Sequence, residues 1–300
     1  MPRTIDFRQA VKSDIPQLVD LMNSEYMRKK GDAYFLWQYF DSYYPTVLFC
    51  AFKSKQLVGM FGFQKRRLRD GATVGQAIDM LVAPDYRGQG IFKTLAGLAT
   101  QSFHDIDLLC VFPNLNGKNA VENALGWRTI GSITTMRVQP RAVRGASEEN
   151  SELQKTGQKR SLSKFLYDAG IRKWRFDAHP DYTYSYFHID DATSAVTKVF
   201  TDPGDGKRFG DIVEFECDLD STLSLEKLFL QTSRHLEGNG VEEIAVWISP
   251  HTPLYDVALR LGFRQAAQER FFCVQVINEH YHYLTDFSCW HLVQADSEIF

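Results

Sequence analysis

The chain has 300 residues, of which 44% are hydrophobic and 24% are charged, and its formal net charge is −3. This is the composition of a globular protein with room for one large domain or two of ordinary size. The small net charge argues against nucleic acid and anionic membranes as partners, and no apolar run reaches the roughly eighteen residues of a membrane span.

The five cysteines are an odd number, widely scattered and without a CxxC pair. Most of them lie in apolar, strand-like runs, which favours buried free thiols in a reducing compartment. The first residues, MPRTIDFRQAVKSD, lack the apolar core of a signal peptide. We therefore expect a soluble, cytoplasmic protein. We assign no metal, because the HYHY stretch near residue 280 lacks the acidic or cysteine company of a metal site.

The first half alternates between strand and helix patterns. TIDFRQA predicts a strand, and SDIPQLVDLMNSEY predicts a helix with Pro16 in its first turn. After an aromatic stretch, AYFLWQYFDSYYP, the segments TVLFCAFK and QLVGMFGFQKRRLR predict a hairpin that turns at Ser54-Lys55. We interpret QKRRLR as a solvated strand end.

A fourth strand, GQAIDMLV, is followed by VAPDYRGQGIF and then by a predicted helix over residues 91–104. DLLCVFP predicts the next strand, and GKNAVENALGW predicts a short helix that ends at Gly126. Residues 141–160 are polar and almost free of aromatics, which predicts a linker. SLSKFLYDAGIRKW then predicts a helix, and HYHY alternates like a strand.

The second half repeats the pattern of the first. Gly126 and Gly262 are 136 residues apart, and so are Leu108 and Ile244 within DLLCVFP and EIAVWIS. Equal spacing across strand, helix, strand and Gly-aromatic favours a duplicated unit. We expect a first domain at 1–140, a linker and helix at 141–180, and a second domain at 181–300.

The stretch VAPDYRGQGIF places two glycines between a strand and a helix. A helix start has four backbone N–H groups without intrahelical partners, and glycine allows positive φ, so such a turn suits a pyrophosphate. The pattern is neither GxxxxGK[ST] nor GxGxxG, which disfavours a nucleoside-triphosphate loop and a dinucleotide fold. A tight turn without a ligand is the alternative.

The surroundings of this turn carry a family resemblance. DMLVAPDYRGQGIFKTL resembles the acyl-CoA-binding motif of the GNAT (GCN5-related N-acetyltransferase) superfamily, a strand ending in V-x-P, then [QR]-x-x-G-x-[GA], then a helix. FPNLNGKNAVENALGW resembles the next motif of the family. With its repeat, the chain is similar to a tandem GNAT protein. This implies an α/β fold of two GNAT-like domains, each a mixed, mostly antiparallel sheet flanked by helices.

The resemblance implies acetyl-CoA as the donor substrate. Its pyrophosphate would lie on the glycine turn, its pantetheine arm along the end of the preceding strand, and the next motif would add an asparagine. The implied donor-binding residues are Met80, Leu81, Val82, Arg87, Gly88, Gln89, Gly90, Ile91, Phe92 and Asn114. Phe92 replaces the usual Gly or Ala, but its amide can still donate.

Three catalytic roles follow from the same resemblance. Asp79 occupies the D-x-x-V position of small-amine acetyltransferases, where a carboxylate could hold or deprotonate the acceptor; a structural Asp bound by backbone amides is the alternative. A backbone N–H near Leu81 is the expected oxyanion donor. Glu122 stands where many members carry the tyrosine that protonates the leaving thiolate.

Further expectations concern the acceptor. Trp37 and Tyr39 lie where family members cover the acceptor and could stack on it, although burial in the core is the commoner fate of such residues. Gln76 could orient a water but cannot act as a base. The apolar end Ile299-Phe300 predicts a packed tail. In some tandem members of the family the terminal α-carboxylate reaches the active site, which implies that the carboxylate of Phe300 could do so here; an ordinary docked tail is the alternative.

These inferences predict an acyl-CoA-dependent N-acyltransferase acting on a small-molecule amine such as an amino sugar. The second half has DLDSTLSLEKL where the glycine turn would be, and its acidic residues should repel a pyrophosphate, so we expect a single donor site. Two alternatives remain: a non-catalytic acyl-CoA-binding scaffold, and an aminoacyl-tRNA-dependent transferase of the same fold. We predict neither nucleic-acid nor membrane binding, and the oligomeric state is left open.

Overall fold

The computed structural model describes residues 4–143, 162–217, 222–267 and 270–298. The strands of these residues are β1 (Ile5–Gln9), β2 (Thr46–Lys53), β3 (Gln56–Arg67), β4 (Thr73–Val82), β5 (Leu108–Val111), β6 (Arg128–Ser132), β7 (Thr135–Val138), β8 (Tyr184–Asp190), β9 (Thr193–Thr201), β10 (Arg208–Glu216), β11 (Glu243–Trp247), β12 (Arg264–Gln265) and β13 (Phe271–Val276).

The α-helices of the described residues are α1 (Ile15–Glu25), α2 (Asp32–Phe35), α3 (Ile91–Thr100), α4 (Leu115–Leu125), α5 (Ala169–Arg172), α6 (Thr222–Gly238) and α7 (Pro253–Arg260). π turns extend two of them, at Leu36–Phe40 after α2 and Lys173–Asp177 after α5. Short 3₁₀ turns lie at Lys12–Asp14, Pro84–Tyr86, Pro140–Ala142, Glu279–Thr285, Phe287–Cys289 and Gln294–Asp296.

The chain divides into two compact units whose segments alternate along the sequence. Among the described residues, the first unit comprises 4–131, Phe165–Asp181 and Arg270–Thr285, and the second comprises the rest. These bounds differ from the contiguous domains 1–140 and 181–300 expected from the sequence. The reason is the pairing of two strands: β13, from the end of the chain, pairs with β5, and β7, from the first half, pairs with β11.

The first unit is built on a seven-stranded sheet in the order β1-β2-β3-β4-β5-β13-β6. Strands β1 to β4 are antiparallel neighbours, β4 and β5 are parallel, and β13 is antiparallel to β5. The predicted β2–β3 hairpin is confirmed, and its turn residues Ser54 and Lys55 have φ of 53° and 73°, as a two-residue type I′ turn requires.

Each face of this sheet carries its own apolar core. On one face α3 packs through Leu95 and Ala99 onto a group that includes Phe61 and Phe63 of β3. On the other face, α1 and α2 pack onto a group that includes Leu48, Met60 and Ile78. The aromatic stretch that contains α2 therefore lies on the face of the sheet opposite α3.

The second unit is built on a six-stranded sheet in the order β12-β7-β11-β10-β9-β8. Its parallel pair has the same register as that of the first unit: Phe209 pairs with Glu243 and Val74 pairs with Leu108, a separation of 34 residues in both. The two mixed sheets flanked by helices confirm the predicted fold class. Part of the acidic segment after β10, residues 218–221, lies outside the described residues.

Three local predictions need correction. The helix predicted over residues 161–174 begins only at Ala169, where the Asp168 carboxylate accepts the Ile171 N–H at 2.8 Å as an N-cap. The HYHY segment forms 3₁₀ turns rather than a strand. Arg66, predicted on a solvated strand end, is 4% exposed and lies 4.1 Å from the Phe165 ring centroid. Most of the predicted linker lies outside the described residues.

Candidate active site

Strand β4 separates from its parallel neighbour before it ends. Its pairing with β5 runs from Val74 with Leu108 to Gln76 with Cys110, whereas β4 continues to Val82. Among the described strands, none pairs with this side of β4 from residue 77 onward. The end of β4 therefore offers a free backbone edge that an extended ligand could pair with.

A β-bulge lies within this free stretch. Ile78 pairs with Gly62 and Leu81 pairs with Met60, so Asp79 and Met80 both lie opposite Phe61. Asp79 has a φ of 46°, which is uncommon for a residue with a Cβ. Such backbone strain is concentrated at functional sites, where the surrounding structure must hold it.

The hydrogen-bond pattern shows which amides face the free edge. Ala83 N–H donates to Val58 O at 2.9 Å, so Ala83 and Val58 form a bonded pair. Because bonded and non-bonded pairs alternate along an antiparallel ladder, Leu81 is bonded to Met60. Met80 and Val82 then point to the opposite side, toward the free edge. An oxyanion donor is therefore better supplied by Met80 or Val82 than by Leu81 itself.

The glycine turn follows β4 directly. Gly88 and Gly90 have φ of 75° and 78°, and a Cβ at either position would meet nothing within 4 Å. Glycine is thus needed here for backbone conformation rather than for packing. Among the described residues we find no protein acceptor for the N–H groups of residues 88–92, of which the last two begin α3. These amides can bind an anion.

Hydrogen bonds of Arg87 stabilise the turn. Its N–H donates to Pro84 O at 3.2 Å, and its Nε donates to Val82 O at 2.9 Å. Its Nη2 donates to Glu25 Oε2 of α1 at 2.7 Å. The guanidinium thereby ties the turn to both β4 and α1. The hydrogen bonds of Arg87 therefore indicate that it stabilises the turn of the predicted donor site.

Two tyrosines hold the Asp79 side chain. The hydroxyls of Tyr34 and Tyr39 donate to the same oxygen, Oδ2, at 2.9 and 2.7 Å. No donor among the described residues reaches Oδ1, and the residue stays partly exposed. One carboxylate oxygen is thus fixed while the other remains open to a ligand.

Burial raises the pKa of Asp79 above its ordinary value. Hydrogen bonds from Tyr39 and Tyr34 and the charge of Lys30 oppose this rise without cancelling it. A carboxylate with a raised pKa accepts a proton from an ammonium more readily than an exposed aspartate does. Asp79 therefore has the position and the proton affinity of a general base.

Gly62 makes room for Tyr39. A Cβ at this position would lie 2.8 Å from Tyr39 Cε1 and 2.8 Å from Ile78 Cγ1, closer than real Cβ contacts come. The Tyr39 ring can therefore lie against β3 and reach Asp79 only because residue 62 has no side chain.

We expect Gly62→Ala to displace Tyr39 and break its hydrogen bond to Asp79. Since a hydrogen bond to a charged group contributes about 1.5–3 kcal/mol, kcat/KM should fall by roughly 10- to 100-fold. Gly59→Ala, on the same strand but facing Ile91 and Leu95 at 3.2 and 3.3 Å, is the matched control and should cost less activity. In a Tyr39→Phe background, Gly62→Ala should have little further effect; full additivity would contradict the link.

The sequence did not point to Lys30, whose charge acts on Asp79, or to Asp181, the partner of Lys30. Lys30 Nζ lies 4.1 Å from the Tyr34 ring centroid and 3.1 Å from Asp181 Oδ2. Burial lowers the pKa of Lys30, while Asp181 and Asp79 oppose that shift. Tyr34 was also missed, although it belongs to the aromatic stretch that was singled out.

The structure separates the three predicted acceptor residues. Tyr39 reaches Asp79, but Trp37 is 6% exposed, stacks on Trp174 at 4.6 Å and donates to its carbonyl at 2.9 Å. Gln76 is 1% exposed and accepts from Arg66 Nη1 at 2.7 Å. Trp37 and Gln76 thus belong to the core of the first unit rather than to a surface that an acceptor could touch.

The remaining predicted residues have structural partners or lie outside the described residues. Asn114 caps α4 by accepting the Gly117 N–H at 2.9 Å. The Thr129 hydroxyl lowers the pKa of Glu122, helped by Lys118 at 3.9 Å. A carboxyl that is ionised at neutral pH does not protonate a thiolate, so the structure does not support Glu122 as the acid. Phe300 lies outside the described residues.

Within the described ranges, no group of three or more His, Cys, Asp or Glu side chains is arranged to hold a metal ion. None of the helices described is both long and apolar enough to cross a membrane.

Comparison with known proteins places this geometry in a family. Residues 15–119, from α1 into α4, match the sequence model of the acetyltransferase (GNAT) family. The matched range contains the bulge, Asp79 and the glycine turn. This part of the first unit is a GNAT acetyltransferase domain. The predicted family and enzyme class, a GNAT-type N-acetyltransferase, are thereby confirmed. No curated protein matches the chain.

Solved structures share the fold at low sequence identity. A GCN5-related N-acetyltransferase from Kribbella flavida has a TM-score of 0.63 and 11% identity, over 92% of this chain and 72% of that one. One from Anabaena variabilis ATCC 29413 has a TM-score of 0.65 and 12% identity, over 92% and 74%. A glucosamine N-acetyltransferase region of a fungal multi-domain GH3 β-N-acetylglucosaminidase has a TM-score of 0.61 and 12% identity, over 91% and 38%. In each case the match spans most of this chain.

Proposed function

We propose that this GNAT protein transfers an acyl group, most simply acetyl from acetyl-CoA, to a primary amine of a small molecule. The observation that carries the proposal is Asp79 at the bulge of β4, with one oxygen fixed by two tyrosines and the other open. It stands on the same strand that leads into the glycine turn, so a base and an anion-binding turn lie at one end of β4.

The donor fits the free backbone groups of β4 and the turn. The pyrophosphate would accept the N–H groups of residues 88–92 at the start of α3, where the helix dipole favours an anion. The pantetheine arm would lie along the free edge of β4 beside Met80 and Val82, as an added strand does.

The reaction is direct attack of the amine on the thioester. The acceptor ammonium gives a proton to Asp79 Oδ1, and the neutral nitrogen attacks the carbonyl carbon. The backbone N–H of Met80 or Val82 stabilises the oxyanion. The nitrogen then gives its second proton to solvent and the C–S bond breaks. The thiolate leaves and takes a proton from solvent, Asp79 returns its own proton to solvent, and the amide remains on the acceptor. The protein contributes mainly position and a suitably basic carboxylate.

An amino sugar or a similar amine is the acceptor class that we propose. Asp79 Oδ1 is a carboxylate oxygen open to a ligand, while Tyr34 and Tyr39 fix the other oxygen. An open carboxylate suits the ammonium of such an amine. The fungal structural neighbour contains a glucosamine N-acetyltransferase region, which supports this choice.

Acetyl-CoA binding and turnover test the function. Acetyl-CoA at about 100 times its Kd should stabilise the folded protein by about 2.7 kcal/mol, which thermal denaturation would show as a raised Tm. Thiol release across a panel of amines, amino sugars included, should then identify an acceptor. Binding without turnover of any amine would favour the non-catalytic scaffold, and absence of binding would end the proposal.

A matched pair of glycine variants tests the turn. Gly90→Ala and Gly71→Ala both place a Cβ at positive φ, 78° and 99°, in open space, so both should lose stability by a similar amount, about 1–2 kcal/mol. Only Gly90→Ala should weaken acetyl-CoA binding, because only Gly90 belongs to the turn. Equal Kd values for the two variants would contradict the assignment of the turn to the pyrophosphate.

A further inference from the structure

A lysine of the protein lies against Tyr34, one of the two tyrosines that hold the proposed base. Lys30 Nζ lies 4.1 Å from the centroid of the Tyr34 ring, whose hydroxyl donates to Asp79 at 2.9 Å. The backbone of Lys30 is held in place by Asn23 of α1: the Asn23 side chain donates to Lys30 O at 2.8 Å and accepts Lys30 N–H at 2.8 Å. The protein therefore presents an amine of its own that is separated from Asp79 by the Tyr34 ring.

The surroundings make this amine unlike an exposed lysine. The Lys30 side chain is 14% exposed and its pKa is lowered by burial, so its neutral form is more accessible than in water. Asp181 holds the ammonium at 3.1 Å. The four-carbon stem can carry the nitrogen away from Asp181 while the backbone stays fixed.

We propose that Lys30 is an acetylation site of the protein itself, modified by its own Asp79 site when no amine acceptor is present. The step rests on the proposed function and uses the same chemistry. Asp79 takes a proton from the Lys30 ammonium, and Nζ attacks the thioester carbonyl of acetyl-CoA. The C–N bond forms, Nζ gives its second proton to solvent, and the C–S bond breaks. The thiolate leaves and is protonated by solvent, and Asp79 returns its proton to solvent.

Acetylation would change the site that produced it. The amide product carries no charge, so Asp181 loses its ion-pair partner and Asp79 loses the positive charge that favours its ionised form. Less Asp79 is then available as a base. The modification should reduce the turnover of small amines, which would make it self-limiting.

Mass spectrometry of the full chain tests this directly. The purified protein is incubated with acetyl-CoA without an amine, and its peptides are mapped. Lys30 should gain one acetyl group at least 10-fold faster than its neighbour Lys29, whose Nζ instead donates to Asn23 O and Tyr26 O at 2.5 and 3.1 Å. The modification should disappear in Asp79→Asn, and Lys30→Arg should abolish it while Lys29→Arg leaves it unchanged.

The outcomes separate this inference from the proposed function. If the protein binds acetyl-CoA and acetylates an amine while Lys30 stays unmodified, the inference fails and the function stands. If exposed lysines are acetylated as fast as Lys30 and independently of Asp79, the reaction is merely chemical and the inference also fails. If acetyl-CoA does not bind at all, both fall together.

Discussion

Asp79→Asn is expected to slow amine acetylation by about 10²- to 10⁴-fold, the usual contribution of a positioned base. Asparagine keeps the shape of the side chain and can still accept from Tyr34 and Tyr39, whose hydroxyls fix Oδ2 at 2.9 and 2.7 Å. It cannot take a proton from the acceptor. Acetyl-CoA affinity should not change, because the donor is bound by backbone amides of β4 and the turn.

The same substitution should make the folded protein more stable at neutral pH. The pKa of Asp79 is raised in the folded state, so between its ordinary pKa and the raised one the folded protein binds more protons than the unfolded chain. Stability from this group is therefore present at low pH and is lost as pH rises through the raised pKa. Asn has no charge to bury and removes that loss.

Activity and stability should thus move in opposite directions with pH. Wild-type kcat/KM should rise through the raised pKa of Asp79, and the variant should lack this rise. Asp85→Asn, which alters an exposed carboxylate near the turn, is the matched control and should leave both measurements unchanged. If Asp79→Asn retains wild-type kcat and its acid limb, Asp79 is a structural residue and the base must be sought elsewhere.

Removing residues 270–300 is expected to abolish acetyl-CoA binding, although these residues lie some 180 positions beyond the glycine turn. The deletion takes away β13, which pairs with β5 from Val276 with Leu108 to Cys273 with Val111 and lies between β5 and β6. Phe272, Cys273 and Val274 of β13 are each at most 1% exposed. Their loss would expose the neighbouring apolar core and break the sheet that carries the site.

Removal of residues 286–300 alone is the matched control, because it spares β13 and shortens only the second unit. This shorter deletion should keep acetyl-CoA binding, measured by calorimetry. Val274→Pro, which removes one ladder N–H from a central strand, should reproduce much of the larger loss. A fragment of residues 1–140 that binds acetyl-CoA as tightly as the full chain would show that β13 is dispensable.

The local elements of the first unit could be predicted because short patterns specify them. The β2–β3 hairpin turns at Ser54 and Lys55, and α4 ends at Leu125, directly before Gly126, which has a φ of 72°. The boundaries of the units could not be predicted, because they depend on which distant strand completes each sheet. The separation of about 160 residues between β5 and β13 leaves no local pattern.

Some residues of the candidate site could likewise be predicted from local sequence, and others could not. Asp79 and the glycine turn could be predicted since they lie together in one short motif. The hydroxyls that hold Asp79 belong to Tyr34 and Tyr39, which precede it by 45 and 40 residues. No pattern in the sequence distinguishes these tyrosines from Trp37, which packs in the core instead. The partner of Lys30, Asp181, is 151 residues away and becomes visible only in the folded chain.

The place of β13 in the first sheet also constrains how the protein is made. A ribosome synthesises the chain from its N-terminus, so the sheet that carries the site cannot be completed until residue 276 has emerged. Until then one edge of β5 has no partner strand. Long-range pairings of this kind form slowly and leave strand edges exposed to other chains. We therefore expect nascent chains stalled before β13 to bind chaperones and to aggregate more readily than the finished protein.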